Sequence, residues 1–475
     1  MSLPRQKRVS SEDHTVKINR RRLLQAVGAT ALPTLTSCGR DGNTTTPTPS
    51  TRPNVLFISI DDLNDWVGFL GGHPQVMTPN LDKLAARSTV FERAYCTAPL
   101  CSPSRAGALS GLSVQSTQVY DNKATFRSVN PNKPQVDDAL AGQGYKTARF
   151  GKIDHLYQEV EQPMSPPQPD APYSNPYCPL QKGLGGLDWG PAPGGDEVQP
   201  DYVYAQQGID FINAYQKNSS QPFFLSVGFV RAHFGWWLPQ RFFDMYPAID
   251  KIHLPYVYAQ DLDDLGSRGR SIALDLNVHA CMTAHDGLWA SAVRAYLASI
   301  TWVDTQVGRL LDALEASPHA NNTVIVLWSD QGNHLGEKLH WNKLALWEHA
   351  TRVPFVISLP KQNQTQRVSF PVSLRDMVPT IYEMCQAQAP YPMDGRSLVP
   401  LLQDPSKTWD YPVLTTLNQH DHAIRTRDWR YIRYINNERE LYDERSDSEE
   451  LYNLAADPAY ATLIAELDSL MPPPV

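Results

Sequence analysis

Asn54-Val-Leu-Phe-Ile-Ser-Ile60 is a nearly unbroken apolar run that stops at Asp61-Asp62. Such a run, with little polar alternation, is the pattern of a parallel strand covered on both faces. Thr323-Val-Ile-Val-Leu-Trp328 repeats it and stops at Ser329-Asp330-Gln331-Gly332. Tyr145-Lys-Thr-Ala-Arg-Phe150 leads to Gly151, Lys152 and His155, and Phe223-Phe-Leu-Ser-Val-Gly-Phe-Val230 leads to Arg231 and His233. Ligands of open α/β sheets sit beyond the carboxyl ends of the strands. Four strands that deliver acids, an amide, a lysine and histidines to that edge describe one shared site.

Helices alternate with these strands. Val293, Leu297, Ile300, Val307, Leu311 and Leu314 follow a 3–4 spacing, which predicts a helix packed on the sheet. Residues 79–87 and 376–385 read as shorter helices. From about Tyr411 the pattern changes: residues 423–427, 429–434 and 440–443 read as short strands, and 460–470 as a last helix. The fold class is therefore α/β. The expectation is a sandwich with a large mixed, mostly parallel central sheet over residues 53–410, plus a small C-terminal α+β domain with an antiparallel sheet over 411–475.

A fifth component comes from Cys101-Ser-Pro-Ser-Arg105. Ser102 is a suitable helix cap, Pro103 suits the first helical position, and Arg105 is then expected in the first turn. Residue 101 would lie at the positive end of a helix beside a guanidinium, a place that holds an anion. Asp61, Asp62 and Asp330 with the amide of Gln331 form a hard-oxygen donor set, which suits Ca²⁺ or Mg²⁺ rather than zinc. Three clustered acids repel one another, and a divalent cation is the natural way to keep them ionised.

The chain has 475 residues and a formal net charge of -8, which argues against a nucleic-acid partner. It does not oppose an anionic sugar, because local basic groups decide binding in a pocket. None of the six cysteines forms a Cys-x-x-Cys pair, so a zinc or thioredoxin-type centre is not expected. Cys96, Cys178, Cys281 and Cys385 remain free to pair, and their separations do not say how.

The N-terminus reads as an address. Asn19-Arg-Arg-Arg-Leu-Leu-Gln25 resembles the twin-arginine export signal, with Arg20 and Arg21 as the pair. The apolar stretch that follows, residues 26–32, is too short to span a bilayer. Leu35-Thr-Ser-Cys38 resembles a bacterial lipoprotein cleavage box, which would place a lipid on Cys38. Residues 1–38 are thus expected to be a signal and 39–52 a flexible linker. The expected location is that of an exported bacterial protein, periplasmic or membrane-anchored.

Cys101-Ser-Pro-Ser-Arg105, continuing into Ala106-Gly-Ala-Leu-Ser-Gly111, resembles the Cys-x-Pro-x-Arg signature of the type I sulfatases. The resemblance covers most of residues 53–402 and implies an alkaline-phosphatase-like fold. It also implies a sulfuric ester hydrolase in which a maturing enzyme oxidises Cys101 to formylglycine. Asp61, Asp62, Asp330 and Gln331 fall where the family binds calcium, together with an oxygen of modified Cys101; many members have Asn or His in place of Gln331. Lys152 and His155 match the family's Gly-Lys-x-x-His segment, and His233 matches its mid-chain histidine. Lys343 matches the lysine on the sulfate, and Arg105 the arginine that stabilises the nucleophile. By this resemblance Cys101, Arg105, Lys152, His155, His233 and Lys343 are catalytic, and Lys152, His233 and Lys343 also bind substrate.

Within the family the chain is most similar to the iduronate-2-sulfatase group. Val119-Tyr-Asp-Asn122, Gly151-Lys-Ile-Asp-His155 and the segment from Tyr296 to Leu310 carry that similarity. Two departures stand out: the signature ends in Gly111-Leu112 rather than Gly-Arg, and Val230-Arg-Ala-His233 replaces His-Lys-Pro-His. The second lies where the sugar should sit, so the substrate class implied is a sulfated carbohydrate, with no transfer of iduronate. Trp236, Trp237, His340 and Trp341 are candidates for the sugar pocket. Two competing readings remain: a phosphonate or phosphodiester hydrolase with the same signature, and a non-catalytic glycan-binding lipoprotein.

Overall fold

The computed structural model describes residues 52–155, 187–215 and 221–474, which belong to one compact unit. Arg20, Arg21 and the lipobox Cys38 lie outside the described residues. In chain order the elements that build the site are β1 (Asn54–Asp61), α1 (Pro79–Ala85), β2 (Thr89–Phe91), α2 (Cys101–Ser110), α3 (Val136–Ala141) and β3 (Lys146–Gly151). They continue with α4 (Pro200–Ala214), β4 (Phe223–Ala232), α5 (Leu288–Ala316), β5 (Thr323–Ser329), β6 (Phe355–Ser358), β7 (Gln366–Val368) and α6 (Met377–Met384).

Seven strands form the central sheet in the order β7-β2-β6-β5-β1-β4-β3. β1 pairs in parallel with β4 and β5, and β3 in parallel with β4. β6 alone is antiparallel to its neighbours β5 and β2. The sheet is therefore mixed and mostly parallel, as the apolar runs predict, with the alkaline-phosphatase-like architecture.

β1 shows why its run carries so few polar residues. Leu56, Ile58 and Ile60 enter one core with α1, α4 and α5, whereas Val55 and Phe57 enter a second core with α2, α3 and α6. A strand that serves two cores has no solvent face for polar side chains. Each fully buried large apolar side chain contributes about 1.5–3 kcal/mol. The predicted stripe of α5 from Val293 to Leu314 lies wholly in the first core.

The second sheet comprises β8 (Val413–Leu417), β9 (Asp421–Arg425), β10 (Trp429–Arg433) and β11 (Arg439–Asp443), all antiparallel, followed by α7 (Ala461–Asp468). The sequence reading anticipated the last three strands and the helix. It passed over β8, in which Thr415 and Thr416 interrupt the apolar signal.

One local expectation is corrected. Ser102 does not cap α2, which begins two residues earlier than expected, at Cys101, with Leu100 at the cap position. Asn122 does that work from a following loop, its Oδ1 accepting the Ser102 N–H at 2.9 Å. The Ser102 hydroxyl donates instead to the carbonyl of Ala124. Pro103 is thereby the third helical residue, and Arg105 falls in the second turn. Among the described cysteines, Cys96, Cys101 and Cys385 are free and Cys281 is disulfide-bonded. No described helix is long and apolar enough to cross a membrane.

Candidate active site

The site forms where β1, β3, β4 and β5 end and α2 begins. Asp61 closes β1, and Asp62 follows with a left-handed backbone, φ 57°. That turn is uncommon for a residue other than glycine. It is held by the Asp62 N–H donating to Oδ1 of Asp330 at 3.1 Å. Tyr296 on α5 and Asn333 after β5 both donate to the Asp62 carbonyl, at 2.9 and 3.1 Å. The two carboxylates therefore converge because a strand ends in a tethered turn.

Arg105 organises the interior. Its Nε lies 2.7 Å from Oδ2 of Asp330 and its Nη2 lies 3.1 Å from Oδ1 of Asp61. Nη1 donates to the carbonyls of Lys152 and Ile153 at 2.8 and 2.9 Å. Arg105 is fully buried, so a missing partner would leave an uncompensated charge.

The Cys101 sulfur is surrounded by two lysines and an amide. Lys343 Nζ is 2.9 Å from it, Gln331 Nε2 3.4 Å, and Lys152 Nζ 4.0 Å. Lys343 also donates to both oxygens of Asp62, at 2.7 and 2.9 Å, and Lys152 pairs with Asp61. His233 Nε2 lies 3.8 Å from Oδ2 of Asp62, and His155 is near enough to the thiol to help hold it low. Lys152, His155, His233, Lys343, Arg105 and the three acids thus gather around residue 101.

Electrostatics follow this geometry. Burial alone would raise the Cys101 thiol, but Lys152 and Lys343 outweigh it and hold the group well below its ordinary value. Burial likewise opposes ionisation of Asp61, yet Lys152, His233 and Arg105 keep it well below the usual carboxylate range. Asp330 goes the other way. Burial, with Asp61 and the Cys101 thiolate nearby, raises it well above that range despite Arg105.

The oxygens of Asp61, Asp62 and Gln331 fit a hard divalent cation. Ligand atoms of Asp61, Asp62, Cys101 and His233 all lie within 4.8 Å of one another. Gln331 Oε1 is buried without a hydrogen-bond partner, an amide oxygen left over for a cation. Asp330 is engaged on both oxygens, by Arg105 on one side and the Asp62 N–H on the other.

Of the four residues expected in the sugar pocket, Trp236, Trp237 and His340 are packed away from it. Trp236 is fully buried in the first core, its Nε1 donating to the Ala232 carbonyl at 2.8 Å. Trp237 is also buried and packs over Gly190. His340 is buried behind the lysine, with Nε2 2.8 Å from the Lys343 carbonyl. Trp341 does line a narrow cleft beside Lys343, together with Phe234, Asp275 and Leu344. Tyr296, Asn333 and Asn122 support the site and were not assigned to it, although Asn122 and Tyr296 lie in segments that carry the family similarity and Asn333 follows Gln331 by two residues.

This fold and this site are those of a hydrolase of the alkaline-phosphatase-like architecture. The Sulfatase family profile matches residues 53–387, and the profile described as N-sulphoglucosamine sulphohydrolase, C-terminal, matches residues 336–472. The chain belongs to the sulfatase family and is a sulfatase. It is 33% identical to a sulfatase of Formosa agariphila, over 92% of this chain and 89% of that one. Identity to the iduronate 2-sulfatase of Homo sapiens is 30%, over 65% of this chain and 60% of the other, so that likeness covers only part of the molecule. Two solved structures share the fold. The phosphonate monoester hydrolase of Agrobacterium radiobacter has TM-score 0.71 at 21% identity, covering 87% and 94% of the two chains. A protein solved with its substrate D-glucosamine-2-N,6-O-disulfate has TM-score 0.69 at 22% identity, covering 88% and 97%.

Proposed function

We propose that this sulfatase removes sulfate from a sulfated carbohydrate, using formylglycine made from Cys101 by a maturing enzyme and a calcium ion. The observation that carries the reading is the position of the Cys101 side chain, at the start of α2 between Lys152, Lys343 and Asp62. Asp61, Asp62, Asp330, Gln331 and an oxygen at residue 101 would hold the calcium, which when bound would offset the charge of the sulfate. Formylglycine, hydrated, would supply one hydroxyl to attack sulfur and a second through which sulfate is later expelled.

The chain's own residues supply the remainder. Lys152 and Lys343, both buried, offset the negative charge that would otherwise repel an oxygen nucleophile from sulfate. Arg105 fixes Asp61 and Asp330 through buried ion pairs. His233 Nε2, on the open side of Asp62, delivers a proton to the leaving sugar oxygen. His155, against residue 101, takes the proton from the second hydroxyl. The sugar as substrate class is supported by the relative solved with a disulfated glucosamine. Export and lipid anchoring through Arg20, Arg21 and Cys38 belong to the same proposal and rest on the leader sequence.

The test is parallel turnover of an aryl sulfate, an aryl phosphonate monoester and sulfated monosaccharides by the matured enzyme and Cys101→Ala. Preference for sulfate, with turnover abolished by the substitution, is expected. Preference for the phosphonate, or full activity of Cys101→Ala, would overturn the reading.

A further inference from the structure

Lys152 and His155 leave β3 on one short segment, residues 151–155. Its inner side is held through the main chain. Arg105 donates to the carbonyls of Lys152 and Ile153, the Ser59 hydroxyl donates to the Lys152 carbonyl at 2.8 Å, and the Lys152 N–H donates to Gly228 at 2.9 Å. Lys152 is therefore fixed by its own backbone. These bonds end at Ile153 and leave His155 beyond them. His155 Nδ1 is buried without a hydrogen-bond partner among the described residues, so no bond of that nitrogen aims the ring.

The outer side is gripped at Asp154. Gln135 Nε2 donates to its Oδ1 at 3.0 Å, and Arg149 Nη2 to its Oδ2 at 3.0 Å, with Arg127 Nε 3.5 Å away. Both arginines are themselves held: Arg149 Nη1 is 3.2 Å from Asp137 and Arg127 Nη1 is 2.6 Å from Asp138. Asp137 and Asp138 lie in the first turn of α3, which Gln135 opens. One carboxylate thus takes charge-assisted bonds from three separate segments, a geometry that fixes direction as well as distance. Burial opposes ionisation of Asp154, and Arg149 and Gln135 outweigh it.

We propose that Asp154 is a positioning residue for the sulfatase reaction: gripped by Gln135, Arg149 and Arg127, it sets the direction in which its neighbour His155 meets residue 101. This rests on the role given to His155 above. Because Lys152 keeps its separate anchors, loss of Asp154 disturbs the proton-taking group and spares the sulfate-binding lysine.

The experiment compares matured wild type, Asp154→Asn, Asp154→Ala, Arg149→Ala and the double variant Asp154→Ala/Arg149→Ala on an aryl sulfate. Hydrogen exchange of residues 151–155 is followed in each protein. For Asp154→Ala, kcat falls by about tenfold or more while KM stays within about threefold, since small misplacements of a reacting group cost rate. Asp154→Asn, which keeps one acceptor oxygen, loses less, and the double variant is no worse than Asp154→Ala alone. Exchange in the segment rises while β1 stays protected. Unchanged kcat, or losses of kcat that track loss of protection throughout the protein, would overturn the proposal. If wild type turns over no sulfate ester, the functional reading fails by itself. Exchange then still decides the anchoring, and an unchanged segment would refute it.

Discussion

Lys343 Nζ lies 2.9 Å from the sulfur of Cys101 and 2.7 Å from Oδ1 of Asp62, so one buried cation bridges residue 101 and a carboxylate of the proposed metal set. The lysine reaches there from the loop after β5, and Cys101 comes from the first turn of α2. The two segments are tied directly, the Leu344 N–H donating to the Pro99 carbonyl at 3.1 Å.

Removing that cation has two consequences. Lys343→Ala lowers turnover by about tenfold or more, the size of one lost charged contact. In protein whose Cys101 is unconverted, the thiol loses one of the two charges that hold it down, so its pKa rises. Thiolate absorbance followed against pH reads the shift. An unmoved titration with unchanged turnover removes Lys343 from the site.

Arg105 bridges Asp61 and Asp330 in full burial. Arg105→Ala leaves two carboxylates without their guanidinium and lowers unfolding stability by about 3–5 kcal/mol. Arg105→Lys restores a charge but cannot span both acids and both carbonyls, so it recovers part of the stability and little activity. Denaturant unfolding of the three proteins checks the order.

The proposed calcium site is built on the acids at the two strand ends. Titration calorimetry of metal-stripped wild type with Ca²⁺ shows binding, and Asp330→Ala abolishes it. Chelation abolishes turnover, and Ca²⁺ restores it. Calcium bound normally by Asp330→Ala, with retained activity, refutes the assignment.

A fourth prediction concerns the junction between the sulfatase core and the C-terminal sheet. Glu444 is buried beside Glu348 and Glu450, with Arg425 Nη2 2.9 Å from its Oε2. Burial and the two acids push Glu444 up to about 9, outweighing Arg425 and Arg430. A carboxyl raised on folding contributes stability below its unfolded pKa, near the ordinary 4.5, and that contribution is lost as pH rises towards about 9. Glu444→Gln carries no such proton. Its stability relative to wild type therefore increases between pH 5 and pH 8, by about 1 kcal/mol or more. Urea unfolding at both pH values measures it, and a difference that does not change with pH contradicts the raised carboxyl.

Much of the site was legible because chemistry was concentrated at strand ends. An apolar run that halts at Asp61-Asp62 or at Asp330-Gln331 announces both a buried strand and what it presents. Arg105, Lys152 and Lys343 were legible through their motifs. Trp236 and His340 misled, since a polar or aromatic residue near a motif has no visible sign of which way its segment turns it. Tyr296 was unreadable as a support for Asp62 because it shares the apolar stripe of α5. The cap of α2 went to Asn122 rather than Ser102 for a tertiary reason: a loop folded back over the helix start.

Mass spectrometry of the peptide that carries residue 101, from enzyme made alongside its maturing partner and assayed on a sulfate ester, reaches the centre of the account. An aldehyde at residue 101, in a fraction that scales with turnover, is the predicted result. A fully active enzyme whose residue 101 is still a thiol would contradict it.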